Sequence, residues 1–319
     1  MLLNPNWPGT LSGPTLAPGS PMWWFSFTPL KLFTAGWESV MVFFVLSGLV
    51  VSLPVLNTRG FNWVAYYPRR AARLMIPVIA SVFLAAVWVS AIPQNSTQPS
   101  GSWLSTSSTP AFSWEFIASG LDLLGGDGQI NNPLWSLRWE LLFSVALPLF
   151  VMLAVIVRRW WIAGLAASVL LTWVGLDSGA GALSYLPAFF VGAMIATRLP
   201  RVRRFADRVN RLPFHNLLWL AFTMAGALLL IASWLTGPLP SDLHEITNIL
   251  RSLTPVAAAM LVVACIGWRA LGWLLSCPPV RFVGKISFSL NTHNLELCPC
   301  YSSVVCRERD RCGCLRGGG

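Results

Sequence analysis

Apolar residues in this chain gather into long runs, and most of the charge lies in the short segments between them. The runs predict helices over Glu38–Leu56, Met75–Ile92, Pro133–Val157, Trp160–Leu176, Leu183–Ala196, Leu217–Leu235 and Leu253–Trp268. Most are long enough to cross a hydrocarbon core of about 30 Å at about 1.5 Å per residue, Leu183–Ala196 being the short one. A further run starts at Ile286 and ends after Leu290. The fold expected is therefore all-α, a polytopic transmembrane helix bundle of about seven complete spans plus a stub of an eighth. Pro93–Asn132 is rich in Ser, Thr, Gly and Pro and has no Lys or Arg, so it reads as a loop. Three regions follow: a lead segment over 1–37, a transmembrane domain over 38–290 and an aberrant tail over 291–319.

Composition agrees with the pattern. Charged residues are 11% of the chain and hydrophobic ones 55%, against about 25% charged in soluble domains, too few to cover a water-facing surface. The net charge of +10 is topology rather than a nucleic-acid footprint, because basic residues sit between spans. Segments 57–74, 158–159, 198–211 and 269–285 hold 4, 2, 6 and 3 of them, and alternation of the spans puts all four on one side. The other side receives only Lys31 and Arg251, with most of the acids. By the positive-inside rule the Arg-rich side is cytoplasmic, which makes this a multi-pass protein of the cell membrane.

That alternation starts the chain outside with no signal segment before Glu38, so an earlier helix is expected upstream. The tail after Leu290 carries five cysteines in an arrangement unlike a zinc site, and no metal is expected. Its abrupt change of composition reads as a shifted frame or misassembled terminus, with a genuine disordered cytoplasmic tail as the alternative.

Ionisable groups within spans are costly and therefore candidates for function. Glu140 stands in Leu134-Trp135-Ser136-Leu137-Arg138-Trp139-Glu140, and steps of four put Ser136, Glu140 and Ser144 on one helix face. Its competing structural role is an ion pair with Arg138 or a neighbouring helix. Arg70 and Arg73 share a face just before the second span, where two guanidiniums can clamp phosphate; basic residues there also serve as plain topology markers. His215 and His244 have no partner at catalytic or metal spacing, and there is no GxSxG, P-loop or HExxH.

Several segments together resemble the acyltransferase-3 family of membrane-bound O-acyltransferases. Phe43-Phe44-Val45-Leu46-Ser47-Gly48 resembles its FFxLSG signature, and Arg70-Ala71-Ala72-Arg73 its R-x-x-R element. Pro133–Phe143 resembles its LWSLxxE helix, Phe189-Phe190-Val191-Gly192-Ala193 its FFxGA pattern, and Val283–Leu290 the start of a late helix. The resemblance implies roughly ten spans, a cytoplasmic acyl-CoA donor and an acceptor hydroxyl on an envelope carbohydrate, lipid or exported glycoside. It implies that Arg70 and Arg73 hold the phosphates of acyl-CoA and that Glu140 lies near the transfer centre. The family's first helix carries an Arg and the His regarded as catalytic. No such helix precedes Gly36, so the chain is expected to be incomplete at both ends. His293 falls where the family's late YLxH element is expected, after Asn291-Thr292 instead of Tyr and Leu, and is a second catalytic candidate. A non-catalytic remnant of the family and a multi-span transporter are the alternatives. A transporter of repeated halves would show an internal repeat, and none is visible.

Overall fold

The computed structural model describes residues 21–58, 60–91, 134–236, 244–280 and 282, and every regular element among them is helical. In chain order the helices are α1 (Pro21–Phe27), α2 (Gly36–Asn57), α3 (Trp63–Ala91), α4 (Leu134–Val145), α5 (Leu147–Ile156), α6 (Trp161–Ser178), α7 (Gly181–Val209), α8 (His215–Leu235), α9 (His244–Ser252), α10 (Thr254–Gly267) and α11 (Arg269–Ser276). A 3-10 turn, Pro29–Thr34, joins α1 to α2. The chain divides into two units, one of residues 1–63 and 142–277, the other of 64–141 and 278–319.

Five helical segments among the described residues are long and apolar enough to cross a membrane: Gly36–Asn57, Trp161–Ser178, Gly181–Val209, His215–Leu235 and Glu245–Gly267. A sixth is added if α4 and α5 count as one span. The protein is thus an all-α, multi-span integral membrane protein, but the expected seven complete spans plus a stub are not found. The third predicted run is broken at Ala146 by a 67° bend between its two helices. Pro148, near the start of α5, lacks the N–H that would continue the ladder, and its ring crowds the preceding turn. The second run forms α3, but the helix starts early. That early start adds Arg69, Arg70 and Arg73 to its first turns. The stub over 286–290 lies outside the described residues. A further difference concerns α7, which runs on through the charge run to Val209. Arg is a good helix former, and Ala206 gives this extension an inner contact against Trp219 and Ala264.

In the larger unit, α2 and α7 pack backbone against backbone. A Cβ on Gly48 would collide with the carbonyl of Phe189, and one on Gly192 with the carbonyl of Val45. Small residues permit this approach, which matters in lipid because apolar side chains gain little there by leaving one apolar surroundings for another. Beside the crossing, Phe44 stacks on Phe189 at 4.4 Å between ring centres, and Phe143 on Phe189 at 4.6 Å. All three rings are fully buried, whereas Phe43 and Leu46 in the same turns of α2 are exposed. Three of the buried hydroxyls return to their own helices: Ser168 donates to the carbonyl of Gly164, Thr172 to Ser168 and Thr197 to Met194. They need no outside partner. Gly179 caps α6 in the left-handed region at φ 70°, and Gly175 lets the start of α7 pass closely. Where α8 meets α10, Asn210 donates to the carbonyl of Gly267 at 2.9 Å and accepts from Trp219 Nε1 at 2.8 Å.

In the smaller unit, Leu74, Val78 and Val82 of α3 form a core with Leu137 of α4, flanked by Met75 and Leu141. The steps of four put the α3 residues on one face.

Gly192→Val should disrupt the α2–α7 crossing most, because the new side chain meets backbone rather than a movable side chain. Overpacking costs typically about 1–3 kcal/mol, so the melting temperature in detergent should fall clearly, while Gly60→Ala, with nothing near its Cβ, tests only the local strain of a positive φ.

Candidate functional site

The α3 face that carries Leu74 and Val78 begins, one turn earlier, with Arg70. Its Nη2 donates to Glu140 Oε1 at 2.5 Å, and the two side chains are 14% and 6% exposed. The apolar seam of this unit thus ends in an ion pair. A charge-assisted bond of this kind fixes the guanidinium plane and neutralises part of its charge, which makes burial of both groups tolerable. The partner that Glu140 takes is on a neighbouring helix and is not Arg138. Arg138 instead lies beside the ring of Trp139, at 5.3 Å from its centre. Arg73, three residues after Arg70, is exposed. Of the residues singled out in the sequence, Arg70 and Glu140 are therefore brought together, Arg73 stands open beside them, and His293 lies outside the described residues. A held guanidinium with an open one a turn away can take an anionic group, and the carboxylate can orient whatever approaches it.

The larger unit buries a second charged group that sequence reasoning did not single out. Glu38, in the first turn of α2, is 1% exposed, and Lys31 in the preceding 3-10 turn is 3% exposed. Trp234, at the end of α8, donates its indole N–H to Glu38 Oε1. The Lys31 ammonium lies 3.9 Å from the centre of the Trp234 ring and donates to the carbonyl of Thr34 at 3.3 Å. Arg251 of α9 stands over Trp37 at 5.3 Å, and Trp37 meets Tyr185 edge-on at 6.5 Å. Glu38 Oε2 has no hydrogen-bond partner among the described residues. Burial pushes the Lys31 ammonium below its ordinary value of 10.5, and the nearby Glu38 offsets part of that shift. One signal was present in the sequence. Lys31 and Arg251 are the two exceptions to the charge bias of the loops, and both come to the vicinity of Glu38.

Two outcomes test these clusters. Glu140→Leu alone takes the carboxylate from the Arg70 guanidinium, and breaking a buried pair in this way typically costs about 3–5 kcal/mol, whereas a buried pair replaced by apolar groups costs little. Glu140→Leu should therefore lower the melting temperature and the added Arg70→Met should restore most of it; no restoration would mean that the pair is not coupled. For Lys31 the folded state sheds its proton at a lower pH than the unfolded chain. Between the folded value and 10.5 the unfolded chain holds more protons, so stability rises with pH across that window. Denaturation of Lys31→Met across the same window should lack this rise.

No curated protein and no solved structure matches the chain significantly. The family model of the acyltransferase domain matches residues 11–290, a stretch that takes in both glycines of the α2–α7 crossing, the Arg70–Glu140 pair and the Glu38 cluster. On that match over most of its length, the chain belongs to the acyltransferase-3 family.

Proposed function

We propose that the protein transfers an acyl group from cytoplasmic acyl-CoA to a hydroxyl of an envelope carbohydrate, a lipid or an exported glycoside. Within an acyltransferase family, the observation that carries this reading is Arg70 held by Glu140 with Arg73 exposed one turn on. Two Arg of the R-x-x-R element on one helix face suit a donor that carries several phosphates, since each guanidinium can engage phosphate oxygens bidentately. Glu140 keeps the Arg70 plane in place and lies where it can position the acceptor or a catalytic group.

In the reaction the acceptor oxygen attacks the thioester carbonyl, a C–O bond forms and the C–S bond breaks. The hydroxyl proton passes to a base and then to the departing thiolate. His293 is the candidate base in this sequence. Arg70 and Arg73 act through binding, by fixing the donor so that its carbonyl meets the hydroxyl.

Arg73→Ala is the cleanest test, because Arg73 is exposed and its loss orphans no buried partner. A hydrogen bond to a charged group contributes about 1.5–3 kcal/mol, so acyl-CoA affinity measured on the reconstituted protein should fall about ten- to a hundredfold. Unchanged affinity removes Arg73 from the donor site. Glu140→Gln should abolish ester formation in a transfer assay while donor binding persists; full activity would dismiss Glu140 as a site residue.

A further inference from the structure

Thirteen residues separate Tyr185 from Arg198 on α7, about 20 Å along a helix. The larger unit therefore has a second charged region well removed from Glu38. There an open cleft of about 660 Å³ is lined by Val155, Ile156, Arg158, Arg159, Trp161, Arg198 and Arg201. Four Arg from two segments of the chain line it, and no carboxylate is among its lining residues. None of the four has a salt bridge among the described residues.

Basic residues at the end of a span ordinarily mark topology, and exposed Arg serve that role when each points into water. This arrangement has three additional properties. The Arg are gathered in a concavity, where their mutual repulsion is unfavourable unless an anion offsets it. Arg198 is held in place: its Nη1 donates to the carbonyl of Arg158 at 2.7 Å, and its guanidinium lies 5.1 Å from the centre of the Trp161 ring. Finally, the cleft is amphipathic. Val155 and Ile156 line it, and Trp160 and Ile162 are exposed next to it. Aromatic and aliphatic side chains beside Arg at the end of a span are suited to the depth of lipid headgroups.

We propose that this cleft binds a phosphate group through Arg158, Arg159, Arg198 and Arg201, with an anionic membrane phospholipid as its source. A guanidinium fork set by a carbonyl and an aromatic face presents its remaining N–H groups to phosphate oxygens, and the apolar flank accommodates the glycerol and the upper acyl chain. The site is separate in sequence and in unit from Arg70 and Arg73, so it stands or falls independently of the donor reading.

The test uses the full chain in nanodiscs of phosphatidylcholine with or without phosphatidylglycerol, and reads retained lipid by native mass spectrometry. A parallel titration with inorganic phosphate is followed by ³¹P line broadening. Retained phosphatidylglycerol that falls at least tenfold in Arg158→Ala/Arg198→Ala supports the lipid. Phosphate binding lost in that variant, without retained lipid, keeps the phosphate site but assigns it a soluble source. Should this variant fail to fold, Arg159→Ala/Arg201→Ala, which changes two exposed residues of the same cleft, replaces it. Arg203→Ala/Arg204→Ala removes the same charge from the neighbouring turn outside the cleft and should retain binding. Equal loss in that control, or no binding of either probe by the unaltered protein, overturns the proposal.

Discussion

Backbone contact between α2 and α7 at Gly48 and Gly192 is the constraint around which the larger unit is arranged. In a bilayer, apolar side chains have little to gain by meeting one another, so helices associate through close packing. Glycine at both positions removes the side chains that would hold the backbones apart, and the Phe44–Phe189–Phe143 stack fills the space alongside. The two FF-containing motifs are therefore two halves of one joint. Fixing that joint also fixes the ends of both helices: Glu38 comes with the start of α2, Tyr185 with the start of α7 and Arg198 with its later turns.

Charge in this protein is placed by the same economy. Where ionisable groups are buried or half-buried, the structure supplies an opposite charge or an aromatic face: Glu140 for Arg70, Trp234 for both Glu38 and Lys31, Trp37 for Arg251. Isolated charges at such depth are expensive. The Arg-rich cleft at 158–201 differs in one respect: Arg198 has the face of Trp161, but no carboxylate lines the cleft. That contrast distinguishes an arrangement that satisfies its charges internally from one suited to a ligand.

Much of the helical layout was legible in the chain, because long apolar runs and their basic flanks leave few alternatives. Glu38–Leu56, Trp160–Leu176 and Leu217–Leu235 correspond to helices whose ends differ by at most a few residues from those runs. The span count was not legible. Hydropathy is blind to direction, so it read Pro133–Val157 as one rod where Pro148 divides it, and it read Arg198–Arg211 as a connector where the helix continues. In the candidate site, Glu140 was marked by its depth within an apolar run, and Arg70 by its spacing from Arg73. Their mutual pairing joins residues seventy positions apart, which no local pattern encodes. Glu38 escaped notice because it begins its run, and a carboxylate in a first helical turn has an ordinary explanation in the helix dipole.

The neutralisation around Glu38 has an electrical consequence. Across an energised membrane each elementary charge carries about 2.3 kcal/mol per 100 mV. Lys31 and Arg251 are the cations of the Arg-poor side, and the acids of the same segments, Asp177 and Glu245 among them, outnumber them. The field therefore acts on an end without net positive charge and on an opposite end that is strongly cationic. Gathering Lys31 and Arg251 around Glu38 leaves that difference intact, and a charge difference of this sign favours a single orientation of the inserted bundle.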